Sequence, residues 1–267
     1  MYLIHKIIKI IGKIRGMFHV KDLSVFKNDL KELHIDLSEQ ATQQFLDYYE
    51  LLVEWNSFMN LTAITDFDDV LKKHFIDSLS FIKANDLIKK HSQYDFLNQN
   101  ISMIDIGTGA GFPGIPLKIA FPNLKVTLLD SLNKRVQFLN SVIDKLGLTD
   151  IVAVHGRAED FARNKDYREQ YDVAVSRAVA NMSTLSEYCV PFVKQSGFFI
   201  PFKSEKLPEE LSNAQHALDV LGCHLIDQVE FDLPNSDLHR NFVIIQKEKV
   251  TPSKYPRKAG VPSKNPL

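Results

Sequence analysis

The chain has 267 residues, 45% of them hydrophobic and 24% charged, with 32 Lys and Arg against 33 Asp and Glu. This balance excludes a chain disordered throughout, a collagen-like fibre and a uniformly basic nucleic-acid coat, though not a local basic patch. Two cysteines, Cys189 and Cys223, make no disulfide framework and cannot alone supply a structural zinc site, so no metal is expected and a reducing cytoplasm is the expected compartment.

Residues 1–16 read MYLIHKIIKIIGKIRG, with Leu3, Ile7, Ile10 and Ile14 at helical spacing and Lys6, Lys9 and Lys13 on the opposite face. We read this segment as a peripheral extension, with Met17 the start of the folded chain. The competing reading is a basic amphipathic helix against a membrane or RNA. The lysines break the apolar run, so neither a signal peptide nor a membrane span is expected. Stable membrane association is not expected either.

Residues 17–98 carry a helical pattern. Ser38 caps a helix running to Met59, and Phe45, Tyr48, Tyr49, Leu52, Trp55 and Phe58 recur on it at three- and four-residue spacing, which predicts a core stripe. A second helix is predicted over 69–87, with Val70, His74, Asp77, Ser78 and Phe81 on or near one face. Residues 89–100 form a polar connector. From Ile101 short apolar runs alternate with helical segments. Strands are predicted at 101–106, 126–130, 151–155, 171–176, 198–202, 225–231 and 242–246, with helices at 115–120, 135–146, 185–193 and 209–221. Such alternation implies βαβ units and an α/β, doubly wound, mostly parallel sheet. The polar loop between the last two strands implies a hairpin, hence an antiparallel final strand. The expected division is 1–16, an extension; 17–98, a helical part; 99–247, the α/β domain; and 248–267, a basic, proline-rich tail.

The chemistry sits after the first of these strands. Asp105, Gly107, Gly109 and Gly111 satisfy the D-x-G-x-G-x-G pattern of S-adenosylmethionine enzymes, while Gly109, Gly111 and Gly114 satisfy the G-x-G-x-x-G dinucleotide pattern. Ligands of open α/β sheets bind beyond the carboxyl ends of the strands, where this turn lies. Asp130 ends the second strand, 23 residues beyond Gly107, where a carboxylate accepts from ribose hydroxyls or caps the next helix. In Gly156-Arg-Ala-Glu-Asp160 the backbone groups of Ala158 and Glu159 would border a base. Arg177, at the end of the fourth strand in Ser176-Arg-Ala178, would orient a cofactor or clamp a phosphate. These residues alone leave two enzyme classes open, a methyltransferase and a dinucleotide-dependent oxidoreductase, beside a non-catalytic cofactor sensor.

Two absences bear on the acceptor. No Asn/Asp-Pro-Pro-aromatic turn follows the fourth strand, as exocyclic amine methylation commonly uses, and both cysteines fall where packing residues fall. Guanine N7 is a bare acceptor that has no proton to lose and needs neither device. From Lys247 onward six basic residues (Lys247, Lys249, Lys254, Arg257, Lys258 and Lys264) stand against the single acid Glu248. Four prolines interrupt them, so an extended arm suited to a phosphate backbone is expected, with Lys203 and Arg240 extending its patch; the alternative is a solvated, disordered end.

Several stretches together resemble the bacterial 16S ribosomal RNA guanine-N7 methyltransferases, the glucose-inhibited division protein B family. They are Trp55-Asn56 through Asn60-Leu-Thr62, Lys73-His74 through Asp77-Ser-Leu79, Asp105 through Pro116, Leu128-Leu-Asp-Ser131 with Lys134-Arg135, and Ser176-Arg-Ala178. The resemblance implies a class I S-adenosylmethionine-dependent methyltransferase fold, Rossmann-like with its last strand antiparallel, preceded by a helical part. It implies S-adenosyl-L-methionine as cofactor, contacted at Gly107, Phe112, Ala158, Glu159 and Arg177, beside Asp105, Gly109 and Asp130 from the motif reading. It further implies 16S rRNA or a small-subunit ribosomal particle as partner. His74, Asp77 and Arg177, with the Asn60-Leu-Thr62 loop, are candidates for an RNA-facing wall, and the equal alternative is that His74 and Asp77 only pin the helical part to the sheet. Catalysis by positioning alone, in a monomer, is expected.

Overall fold

The computed structural model describes residues 22–177, 180–203 and 207–267. The extension at 1–16 and Ala178 of the Ser-Arg-Ala motif lie outside the described residues.

Helix α1 (Ser24–Glu32) precedes the long α2 (Glu39–Met59). The Ser38 side chain accepts from the Ala41 amide at 3.0 Å, satisfying one of the orphan donors at the start of α2, and Asn60 in the left-handed region ends the helix. Phe45, Tyr48 and Leu52 are fully buried, as the stripe predicts, whereas Phe58 is 66% exposed. The predicted helix over 69–87 is two. α3 (Phe67–Val70) passes through a π-helical segment, Leu71–Ile76, into α4 (Asp77–Leu79), and α5 (Ile82–His91) follows a turn. The Ser78 hydroxyl donates to the His74 carbonyl and the Ser80 hydroxyl to the Asp77 carbonyl, both at 2.6 Å. Such back-bonding competes with the helical ladder and bends it. His74, Asp77, Ser78 and Phe81 are all buried, as predicted for one face.

Strands β1 (Ser102–Ile106), β2 (Lys125–Asp130), β3 (Ile151–His155), β4 (Tyr171–Arg177), β5 (Val193–Lys203), β6 (Cys223–Asp232) and β7 (His239–Lys247) form one sheet in the order β3-β2-β1-β4-β5-β7-β6. β1 to β5 pair in parallel, and β7 runs antiparallel to both β5 and β6. This is the class I methyltransferase arrangement. Period-two alternation sorts the strand residues. Met103, Val126, Leu128, Val173 and Val175 join the core beneath α2, α6 (Gly114–Ala120) and α7 (Asn133–Leu146). Ile104, Ile106, Ala174, Val243 and Ile245 join that beneath α9 (Met182–Cys189) and α10 (Leu207–Leu221). A one-turn helix, α8 (Ala158–Phe161), follows β3. The helix predicted over 185–193 lies earlier, because Asn181 caps α9, and Pro191 sits in a 3-10 turn from which β5 starts at Val193. Among the described residues no helix is long and apolar enough to cross a membrane.

The tail is not an extended arm. Tyr255 and Pro256 are buried, Arg168 donates to the Thr251 and Tyr255 carbonyls at 2.7 and 2.9 Å, and a last turn, α11 (Val261–Lys264), carries Pro262 at its start. Proline is tolerated there because a first-turn N–H lacks an intrahelical partner in any case. Lys247, 1% exposed, donates to Glu169 at 2.6 Å and to the Val193 carbonyl at 2.7 Å, so it too is structural. Arg240 and Lys203 do not extend a free phosphate patch: Arg240 pairs with Asp77, and Lys203 with Glu210 at 2.6 Å.

Candidate functional site

Parallel pairing brings the carboxyl ends of β1, β2 and β4 to one edge, and the glycine turn leaves from the first of them. The Gly107 and Thr108 amides donate to the Leu129 carbonyl at 2.8 and 3.3 Å, tying the turn to β2. Gly107, Gly109 and Gly111 have φ of 69°, 63° and 97°. A Cβ on Gly111 would lie 2.5 Å from Ile115 Cδ1 and 2.7 Å from the Tyr48 hydroxyl. That hydroxyl donates to the Ala110 carbonyl, so α2 props the turn from behind. Helical spacing marked Tyr48 as core, and nothing local signalled this second role.

Asp105 lies fully buried beneath the turn. Its Oδ2 accepts from the Thr108 hydroxyl at 2.6 Å and from the Gly114 amide at 2.9 Å, while Oδ1 has no partner among the described residues. Burial raises its pKa to about 6 against the lowering effect of these hydrogen bonds and of Arg177. Asp130, 2% exposed, accepts from the Gly109 amide at 2.9 Å and from Arg135 at 3.3 Å through Oδ2, and from the Leu132 amide at 2.8 Å through Oδ1. It therefore ties the turn to the start of α7. A carboxylate offers about four acceptor sites and three are taken, which leaves about one, on Oδ1, for a ligand.

The RNA-facing candidates come together through tertiary contact. Arg177 donates to Asp77 Oδ2 at 2.6 Å, and its guanidinium lies 4.9 Å from the centre of the Phe112 ring. The His74 ring stacks on Phe112 at 4.5 Å. His74 Nδ1 lies 3.3 Å from the Arg177 guanidinium and 3.2 Å from the Lys73 carbonyl, and Nε2 lies 2.9 Å from the Thr62 hydroxyl, so both ring nitrogens are engaged. Burial first, then Arg177, lowers the imidazole pKa to about 4, so the ring is neutral at pH 7. Asp77 also accepts from Arg240, whose place in this group no sequence spacing signalled.

Two adjoining cavities share Gly107 and Ser131. The larger, about 410 Å³, is lined by Thr62, His74, Gly109, Phe112, Asp130 and Arg177. The smaller, about 310 Å³, is lined by Ala158, Glu159, Tyr188, Gly260 and Ser263 among others. Asp105 lines neither and acts from below. The Glu159 carboxylate accepts from the Gly260 amide at 3.0 Å and is therefore held by the tail. Neither cysteine lines the cleft, and burial pushes the Cys223 thiol up to about 12 and Cys189 well above its usual value, which excludes a thiolate nucleophile here. Among the described residues no three His, Cys, Asp or Glu side chains are placed to hold a metal.

The fit of this cleft to S-adenosylmethionine can be tested on its own groups. A Cβ on Gly109 would meet nothing nearer than the Gly107 carbonyl at 4.0 Å, so the turn opens its backbone to the larger cavity. Backbone amides, one carboxylate with a spare acceptor site and two joined cavities of ligand-sized volume suit a nucleoside with an amino-acid arm.

Comparison with known proteins agrees. The family model described as rRNA small subunit methyltransferase G matches residues 41–237. A ribosomal RNA small subunit methyltransferase G of Lachnoclostridium phytofermentans is 51% identical over 248 residues, covering 93% of this chain and 98% of that protein. Those of Alkaliphilus metalliredigens and Staphylococcus aureus are each 52% identical, covering 91% and 89% of this chain and 98% and 95% of theirs. The oxidoreductase reading of the overlapping glycine pattern is set aside. On its matched length, its identity to these relatives and its sheet order, the chain belongs to the rRNA small subunit methyltransferase G family.

Proposed function

We propose that this chain transfers a methyl group from S-adenosyl-L-methionine to N7 of a guanine in 16S ribosomal RNA, as a monomer in the cytoplasm, with naked RNA or the small-subunit particle as partner. The observation that carries the reading is a single cleft joining the glycine turn and Asp130 to the Phe112–His74–Arg177 stack. When bound, the cofactor supplies an electrophilic methyl on a sulfonium. The backbone of the 107–111 turn holds its amino-acid arm, Asp130 accepts from a ribose hydroxyl, and the amides of Ala158 and Glu159 border the base. Guanine N7 offers a lone pair and loses no proton, so no general base is needed. His74 suits that role: with a pKa of about 4 it is a neutral wall rather than a proton acceptor. Asp77 restrains Arg177, keeping the guanidinium against Phe112. Rate acceleration comes from holding the base in line and excluding water, an effect worth up to about 7–11 kcal/mol.

The test has two arms. Calorimetry with S-adenosylhomocysteine and with NADH should show binding of the first alone. Mass mapping of 16S rRNA from cells lacking the protein should show one N7-methylguanine missing, restored by the purified chain and labelled cofactor. Tight NADH binding without S-adenosylhomocysteine binding, or an unchanged methylguanine map, would refute the proposal.

A further inference from the structure

The C-terminal segment, read from its charge as an arm for RNA, closes one side of the smaller cavity. Gly260 and Ser263 line it together with Gly107, Ala158 and Glu159. Their position is set by a buried carboxylate on the body of the domain. Glu187 on α9 is fully buried, and among the described residues its hydrogen bonds all come from Arg257. The Arg257 amide donates to Oε1 at 2.7 Å, and the guanidinium grips both oxygens, Nη2 to Oε2 at 2.6 Å and Nε to Oε1 at 3.0 Å. Two further contacts lead toward the cavity: the Gly260 amide donates to Glu159 Oε1 at 3.0 Å, and the Thr184 hydroxyl donates to the Pro262 carbonyl at 3.1 Å. A buried carboxylate stripped of its guanidinium is strongly unfavourable, so Glu187 commits the segment to this place. Burial is balanced by the fork-shaped, bidentate geometry that only Arg provides.

The consequence lies at the far end of the segment. Gly260, in the left-handed region at φ 80°, turns the chain so that its backbone faces Glu159, and Ser263 comes to lie against the Tyr188 phenol, which lines the same cavity. We propose that residues 257–263 form the outer wall of the cofactor pocket at its purine end, with Glu187–Arg257 as the clasp that seats it and Ser263 as the residue that limits the width of the pocket. This rests on the reading of the cleft as the S-adenosylmethionine site. Because the pocket is complete only with the segment docked, ligand binding and docking reinforce each other by the same factor in both directions.

Full-length chains and S-adenosylhomocysteine provide the test. Ser263→Trp fills the cavity from an exposed position without touching the clasp, and should weaken binding by about tenfold or more. Lys264→Trp, one residue along and lining neither cavity, should bind as the unaltered chain does. Lys258 is exposed, so tryptic cleavage there reports undocking, and saturating S-adenosylhomocysteine should slow it severalfold. Arg257→Ala leaves a buried charge and is expected to unfold readily; the pair Arg257→Ala with Glu187→Gln removes that charge, and should fold yet bind weakly. Undiminished affinity in Ser263→Trp or in the paired variant, or cleavage indifferent to ligand, would overturn the wall. Failure of the unaltered chain to bind S-adenosylhomocysteine would instead overturn the reading of the cleft, and the wall with it.

Discussion

Two glycines of one turn should fail in different ways when given a methyl group. Gly109 and Gly111 both have positive φ, at 63° and 97°, so alanine at either costs about 1–2 kcal/mol in backbone conformation. Their surroundings differ. The added Cβ at Gly109 meets only the Gly107 carbonyl at 4.0 Å, whereas at Gly111 it meets Ile115 Cδ1 at 2.5 Å and the Tyr48 hydroxyl at 2.7 Å. Ile115 and Tyr48 are fully buried and cannot swing into solvent, so overpacking adds about 1–3 kcal/mol. Gly109→Ala should therefore lose about 1–2 kcal/mol and Gly111→Ala about 2–5 kcal/mol. Ligand binding should show the reverse bias, because Gly109 faces the cleft and its methyl group occupies ligand space. Urea unfolding followed through the fluorescence of Trp55, the single tryptophan, gives both stabilities, and calorimetry with S-adenosylhomocysteine gives both affinities. Equal losses of stability, or a Gly111→Ala chain as stable as the unaltered one, would refute the argument from contacts.

Acid titration should separate His74 from Asp105. His74 has its pKa lowered from 6.5 to about 4, so between those values the unfolded chain binds a proton that the folded chain does not, and stability falls as the pH drops. Asp105 runs the other way: its pKa is raised from 3.8 to about 6, so its contribution is present below 3.8 and lost as the pH rises through 6. Urea midpoints between about pH 4 and 7 should show a shallower acid loss in His74→Gln and a steeper one in Asp105→Asn; identical profiles in all three chains would contradict both. Asp77→Ala leaves the Arg177 and Arg240 side chains, 16% and 22% exposed, without their shared carboxylate, and should cost about 2–3 kcal/mol. A double-mutant cycle with Arg240→Ala should return a coupling of about 1–2 kcal/mol, and strict additivity would show that the pair does not interact. Tyr48→Phe leaves the Ala110 carbonyl without its donor and should lower stability by about 1–3 kcal/mol in the same assay, with no loss counting against the prop.

The parts legible in the sequence are those whose determinants are neighbours along the chain. The turn from Asp105 to Gly114, the Ser38 cap and the order of alternating strands and helices each depend on a run of consecutive residues, and the order holds even where a boundary shifts, as at Met182–Cys189. The break in the helix predicted over 69–87 was hidden because Ser78 and Ser80 are compatible with a helix until their hydroxyls take its carbonyls. The tail differs from its expected arm for another reason. Lysines, an arginine and prolines describe a solvated arm and a docked strap equally well, and what distinguishes them is Glu187, 70 residues before Arg257. Likewise Arg240 reads as a free cation until Asp77, 163 residues away, is brought against it.

Local order in the chain was sufficient to specify the α/β class and the glycine turn at the carboxyl end of β1, because periodicity and turn geometry are short-range properties of the backbone. Tertiary structure alone decided which charges are spent on one another, that Tyr48 braces the turn and that the C-terminus walls the cleft. Ion pairs and buried carboxylates act through distance in space, and only folding brings residues so far apart in sequence within reach of a hydrogen bond.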